Sequence, residues 1–167
     1  TENLQDSLYN EMIGRIKKDD QTVPYVQNGY YYYHRFEKGK EYAIHCRKKD
    51  NLNNDEEIIL DENKLAEGYK YFSLGGKYVS PDNNWLAFSV DTLSRRFYDI
   101  YFMNLETGEV LDNPIQNTEG DIAWANDNRT IFYTTKNKAT LLSEKIYRHK
   151  IGTLPKDDIL VYHEDDI

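Results

Sequence analysis

The spacing of apolar residues changes period once along the chain. Between Glu2 and Lys18, Leu4, Leu8, Met12 and Ile16 recur every four residues and Ile13 widens the stripe, which predicts a helix over 2–18. Lys17 and Lys18 then fall at the negative end of its dipole. Asp19 to Pro24 breaks it, because Pro24 pushes Val23 towards extended backbone. From Tyr25 onward the apolar residues come in short β-favouring runs separated by turn residues. Tyr25 to Phe36 reads as one strand and Glu37-Lys38-Gly39-Lys40 as a hairpin loop. Glu41 to Lys48 reads as the next strand, with Tyr42, Ile44 and Cys46 on one face and Ala43 and His45 on the other. A solvated loop from Asp50 to Asp55 leads to a short strand over Glu57 to Asp61, and residues 61–68 form a helical turn or an irregular connection.

The stretch from Lys77 to Leu111 carries the clearest pattern. Ser80-Pro81-Asp82-Asn83-Asn84 and Asn104 to Glu109 are turn clusters between apolar runs, with Gly108 free to take positive φ. Tyr69 to Gly76 opens this unit, and Gly75-Gly76 reads as a turn. The pattern then returns. Asp82 and Asp127 are 45 apart, Leu86 and Ile131 are 45 apart, Tyr101 and Tyr147 are 46 apart, and Gly108 and Gly152 are 44 apart. An earlier unit fits more loosely, with Ile44 and Ile100, and Cys46 and Phe102, each 56 apart. A four-stranded repeat of this period is the signature of a β-propeller blade. The expected fold is therefore mainly β: an N-terminal helix and linker over 1–24, then about three four-stranded antiparallel blades over 25–68, 69–119 and 120–167. The alternative is a β-sandwich whose halves are alike by accident. Propellers have four to eight blades, so three describe an incomplete ring.

Composition narrows the function classes. The 167 residues suffice for one domain with a core, and a net charge of −8 argues against a nucleic-acid or acidic-membrane partner. No apolar run is long enough for a spanning helix. Cys46 is the one cysteine, so no internal disulfide forms and a reducing compartment fits. The expected location is cytoplasmic, or periplasmic if a leader peptide has been removed. The polar, acidic N-terminus shows no signal peptide and no starting Met. Together with an end just after a unit's fourth strand, this leads us to expect a piece of a longer chain. Fifteen tyrosines suit half-buried strands, where a ring packs and its hydroxyl stays wet.

Candidate chemistry is sparse. No Gly-x-Ser-x-Gly elbow exists; Tyr71-Phe72-Ser73-Leu74-Gly75 has only the second glycine. His34, His45, His149 and His163 lie scattered in strands without metal-ligand spacing and read as packing or surface groups. Cys46 reads as a small buried apolar group. Asp55-Glu56-Glu57 and Glu164-Asp165-Asp166 read as solvated faces, and neither has the alternation and glycine of a calcium loop. Asn128-Arg129-Thr130 is a formal glycosylation triplet better explained by its place in the repeat. No catalytic residue, metal or cofactor is expected. The polar pair that stands out is Arg95-Arg96, in the loop after Asp91. Its guanidinium forks suit carboxylates on another domain or at a substrate entrance. The alternative is local pairing with Asp91 or Asp99.

Several segments carry a resemblance to a known family. They include Ile16 to Tyr25, Tyr31 to Arg47, Glu57 to Asn63, Leu65 to Gly68, Ser80 to Asn83, Ala123 to Asp127 and Tyr147 to Thr153. In colinear order these resemble the oligopeptidase B (protease II) branch of the prolyl oligopeptidase family of serine peptidases, over nearly the whole chain. The resemblance implies a seven-bladed propeller joined to an α/β-hydrolase domain that bears a Ser-Asp-His triad and cleaves short peptides after Arg or Lys. This chain would be the early propeller alone, without any triad residue and inactive by itself. Its implied partners are that hydrolase domain and short basic peptides, which the propeller selects by size. Leu93-Ser94-Arg95 departs from the family pattern, which has a glycine before the arginines, so a differently shaped loop is expected. The competing reading is a freestanding propeller-type scaffold that binds a protein or carbohydrate. A metal-dependent enzyme is a third, disfavoured by the ligand spacing. Uncovered blade faces imply self-association.

Overall fold

The computed structural model describes residues 2–17 and 19–164. The chain divides into two compact units, Thr1–Leu65 and Ala66–Ile167. In the first, helix α1 spans Glu2–Arg15 and closes with Arg15 paired to Glu11 one turn back. Lys17 lies beyond the helix and pairs with Asp20 at 3.3 Å, while Lys18, also expected at the helix end, lies outside the described residues. The four-residue stripe is present but uncovered: Leu4, Leu8, Met12 and Ile16 are all at least half exposed.

Four strands follow in antiparallel order: β1 (Tyr25–Gln27), β2 (Tyr30–Arg35), β3 (Ile44–Lys49) and β4 (Glu56–Asp61). The single strand expected over Tyr25 to Phe36 is thus a hairpin. Asn28 and Gly29 take φ of 47° and 80°, the pair of positive values that a two-residue turn needs to match strand twist. Ala43 to Arg47 are all buried, so β3 is covered on both faces rather than alternating. Tyr33, Ile44 and Cys46 form its core. A single turn of helix, α2 (Glu62–Leu65), ends the unit.

The second unit is one seven-stranded antiparallel sheet in sequence order. Its strands are β5 (Ser73–Val79), β6 (Trp85–Asp91), β7 (Tyr98–Asn104), β8 (Ile115–Trp124), β9 (Thr130–Lys136), β10 (Ser143–Lys150) and β11 (Ile159–His163). A 3₁₀ turn, Pro155–Asp157, precedes β11. Around residue 119, where one expected blade gives way to the next, β8 runs on but changes partner: Ile115 and Thr118 pair with β7, and Ile122 to Trp124 pair with β9. Thr118 pairs with Tyr98 on one side and Thr135 on the other, and the strand kinks at Gly120, whose φ is 105°. The described residues therefore hold eleven strands in two sheets where three separate four-stranded sheets were expected. Gly75-Gly76 is likewise a bulge within β5 and not a turn.

The repeat read from the sequence is physical in this sheet. The turns at Asp82 and Asp127 are built alike, each carboxylate accepting backbone N–H groups just downstream, from Asn84 in one and from Arg129 and Thr130 in the other. Asn83 and Asn128 follow at φ of 63° and 61°. Phe88 stacks on Tyr101 and Tyr133 on Tyr147, both with centroids 5.6 Å apart. The two halves share a core of Ala87, Ile100, Phe102, Ile115, Ile122, Ile131 and Tyr133. Burying each large apolar side chain there contributes roughly 1.5–3 kcal/mol. No helix among the described residues is long and apolar enough to cross a membrane.

Candidate functional site

The loop between β6 and β7 is organised by one carboxylate. Asp91 ends β6 with 2% of its surface exposed. Its Oδ1 accepts the N–H of Leu93 at 2.8 Å, and its Oδ2 accepts those of Arg95 and Arg96 at 2.9 and 2.8 Å. An Asp at a loop start favours such bonds because its short side chain reaches the backbone just ahead. Ser94 and Arg96 sit at φ of 57° and 58°. Both residues therefore carry a left-handed backbone that glycine adopts more readily. The loop is also tied from outside: Lys136 Nζ donates to the carbonyl of Arg96 at 3.0 Å and pairs with Glu119 at 3.2 Å.

These contacts hold the backbone and leave the Arg95 and Arg96 side chains exposed. Neither guanidinium pairs with Asp91, which is taken up by backbone N–H groups, or with Asp99, whose Oδ1 accepts the N–H of Asn117 at 3.0 Å. The result is two cationic forks on a fixed loop. Such forks suit a planar carboxylate, which they can bind through two parallel hydrogen bonds.

His149 and His45 are engaged in internal ties. His149 Nδ1 lies 2.6 Å from Asp158 Oδ1, and Tyr133 donates its hydroxyl to Asp158 Oδ2 at 2.8 Å. The side chains of His149 and Asp158 are 1% and 3% exposed, and Phe102 stacks on the imidazole at 5.3 Å. A histidine–carboxylate pair sealed in this way has no face for a substrate. His45 Nε2 lies 2.6 Å from Glu62 Oε1, linking β3 to α2. His34 sits opposite His45 across the β2–β3 pair, and His163 lies at the end of β11. Cys46 is wholly buried; burial, followed by the Glu56 charge, pushes its thiol up to about 12, so no thiolate is available near neutrality. Among the described residues no three His, Cys, Asp or Glu side chains are grouped to hold a metal ion. The sequence reading named Asp91 as a local partner of the arginines but missed that it binds their backbone N–H groups, and it missed Asp158 as the partner of His149. The first could have been read from an acidic residue at a strand end followed by a polar loop. The second depends on a hairpin return that no local motif announces.

The whole chain, residues 1–167, matches the family model described as "Prolyl oligopeptidase, N-terminal beta-propeller domain". Among curated relatives it is 42% identical to Dipeptidyl aminopeptidase BI of Pseudoxanthomonas mexicana, with 98% of this chain and 25% of that protein aligned. It is 31% identical to Protease 2 of Moraxella lacunata, over 96% of this chain and 24% of that one. Among solved structures, oligopeptidase B from Leishmania major superposes with a TM-score of 0.92 at 35% identity, covering 98% of this chain and 23% of that one. Oligopeptidase B from Trypanosoma brucei, in a closed form with covalently bound antipain, gives 0.88 at 34% identity, covering 98% of this chain and 23% of that one. This chain thus spans about a quarter of the length of these relatives. The resemblance read from the segments above is shown by these matches.

Proposed function

The chain belongs to the prolyl oligopeptidase family, and from that premise we propose that it is a non-catalytic propeller segment of an oligopeptidase B-like serine peptidase. In the longer protein it joins an α/β-hydrolase domain that carries the triad and cleaves short peptides after Arg or Lys. Its own task is to limit substrates by size and to hold the interface with that domain. The observation that best supports this is the near-complete superposition on oligopeptidase B over less than a quarter of that enzyme's length. A size filter needs rigid strands and a narrow opening but no reactive side chain, which suits a region whose His45, His149 and Cys46 are sealed or tied internally. The expected blades are residues 25–68, 69–119 and 120–167.

Arg95 and Arg96 take the interface role in this reading. Their loop is fixed by Asp91 and Lys136 before any partner arrives, so binding a carboxylate costs little ordering entropy. The test is direct. The 167-residue chain should show no turnover of a dibasic peptide or an arginine ester, while the longer protein cleaves both. Sustained turnover by the purified chain, or a longer protein that ignores basic peptides, would overturn the proposal.

A further inference from the structure

Arg95-Arg96 is the one Arg-Arg pair in the sequence, and it lies in a stretch, residues 93–96, that is exposed throughout. Exposed loops are preferred sites of proteolytic nicking, and two arginines in one loop offer the side chains that an arginine-specific peptidase accepts. Recognition also needs the right backbone. An extended substrate pairs its N–H and C=O groups with the enzyme, and the scissile carbonyl enters an oxyanion hole.

The loop withholds each of these. For the bond after Arg95, the residues on either side, Ser94 and Arg96, stand at φ of 57° and 58°, outside the extended region. For the bond after Arg96, the residue that supplies the carbonyl is itself left-handed. The N–H groups of Arg95 and Arg96 are taken by Asp91 Oδ2, and the Arg96 carbonyl accepts from Lys136 Nζ. Asp91 is buried, so water does not compete for these bonds. The side chains fit an arginine-specific peptidase and the backbone does not.

We propose that Arg95-Arg96 is a latent proteolytic site, cut by a serine peptidase of arginine specificity when the loop opens, and that Asp91 keeps it shut. In the cut, water adds across the peptide bond. Its hydroxyl goes to the arginine carbonyl carbon, the C–N bond breaks and the proton goes to the departing amine nitrogen. The nick leaves the two parts joined, because β6 and β7 pair from Trp85 and Asn104 to Val90 and Asp99. It does remove the fixed backbone beneath the two guanidinium groups, and so undoes the pre-ordering that their interface role uses. That consequence rests on the functional reading above; the latent site itself does not.

Limited digestion with trypsin tests it. The 167-residue chain and its variants are digested, the cut sites are read by mass spectrometry, and a cooperative urea transition verifies that each variant is folded. In the unaltered chain the bonds after Arg95 and Arg96 are cut roughly 100-fold more slowly than in a free peptide of residues 88–101. Asp91→Asn raises that rate roughly 10-fold or more and leaves cutting after Lys38 and Lys40, in the exposed loop after β2, as it was. Lys136→Met releases the Arg96 carbonyl with Asp91 in place; it also speeds the cut, and it carries the test if Asp91→Asn does not fold. An unaltered loop cut as fast as the free peptide overturns the proposal. So do folded variants cut no faster than the unaltered chain, and so does an Asp91→Asn chain cut faster at every basic residue alike, since that is general unfolding. A loop that behaves as expected in a protein whose longer form ignores basic peptides overturns the functional reading alone. An unaltered loop open to trypsin, in a protein whose longer form cleaves them, overturns this inference alone.

Discussion

At the scale of single residues, Ser89 does more than its type suggests. It is wholly buried, donates its hydroxyl to the Gly120 carbonyl at 2.8 Å and accepts the Gly76 N–H at 2.9 Å. It thereby joins the bulge of β5 to the kink of β8. Two glycines 45 apart make room for it: a Cβ on Gly75 would lie 2.5 Å from Ser89 Oγ and 2.7 Å from the Tyr98 ring, and one on Gly120 would lie 3.0 Å from that ring. Replacing Ser89 by Ala leaves a buried N–H and a buried carbonyl without this partner. Each lost partner costs roughly 1–3 kcal/mol, so Ser89→Ala should lower unfolding stability by about 3 kcal/mol in a urea titration. A loss under about 1 kcal/mol would mean that other groups take over both bonds.

At the scale of elements, the β6–β7 loop behaves as a device with one fastener. Asp91→Asn keeps one oxygen but puts an amide donor where the second oxygen accepted N–H groups. At least one of the Leu93, Arg95 and Arg96 amides then loses its acceptor. Their hydrogen exchange should speed up roughly 10-fold or more, while Arg95→Ala leaves the rates of its neighbours alone. Unchanged exchange in Asp91→Asn would show that Lys136 and the strand ends suffice. This loop also marks where sequence reading stops. Arginines in a rim loop are visible as letters, and the repeat at Asp82 and Asp127 is visible because a turn encodes itself in a few adjacent residues. The β1–β2 hairpin was masked by Tyr30 to Tyr33, a run so strand-like that Asn28-Gly29 was absorbed into it. The single strand β8 was hidden because one Gly120 at positive φ bends the chain without ending it. The pairing of His149 with Asp158 was hidden because it is set by the return of β11, nine residues later. Ser94 and Arg96 are held at positive φ beside the bonds of Asp91 to the loop backbone, a tertiary constraint that overrides local preference.

At the scale of the whole molecule, the buried acids set an alkaline limit on stability. Burial, then the Glu56 charge, raises the Cys46 thiol from 9.0 to about 12. Burial, then a hydrogen bond to Glu56, raises Tyr33 above its ordinary 10.0, and burial, then a hydrogen bond to Asp158, raises Tyr133. Each of these groups has a folded pKa above its unfolded value. Below the unfolded values the associated stability is fully present, and it is lost as pH rises towards the folded ones. The window opens near 9 with Cys46 and widens past 10 as the tyrosines join. The acid limit has the opposite sign. Burial works against ionised Glu56 and Asp82, but hydrogen bonds from Tyr33 and Arg35, and from Ser80 and Asn84, outweigh it and hold both carboxyls low. Their contribution is present above the unfolded values of 4.5 and 3.8 and disappears as pH falls below them. The urea midpoint should therefore be flat between roughly pH 5 and 9 and fall on either side. The alkaline fall can be dissected: Cys46→Ala should abolish the part that begins near pH 9 and leave the part that begins near pH 10, whatever it does to stability at neutrality. If the pH profiles of Cys46→Ala and the unaltered chain run parallel up to pH 11, the thiol is not held protonated by its surroundings. The tight core of Tyr33, Ile44 and Cys46 would then have to open to solvent before the rest of the fold does.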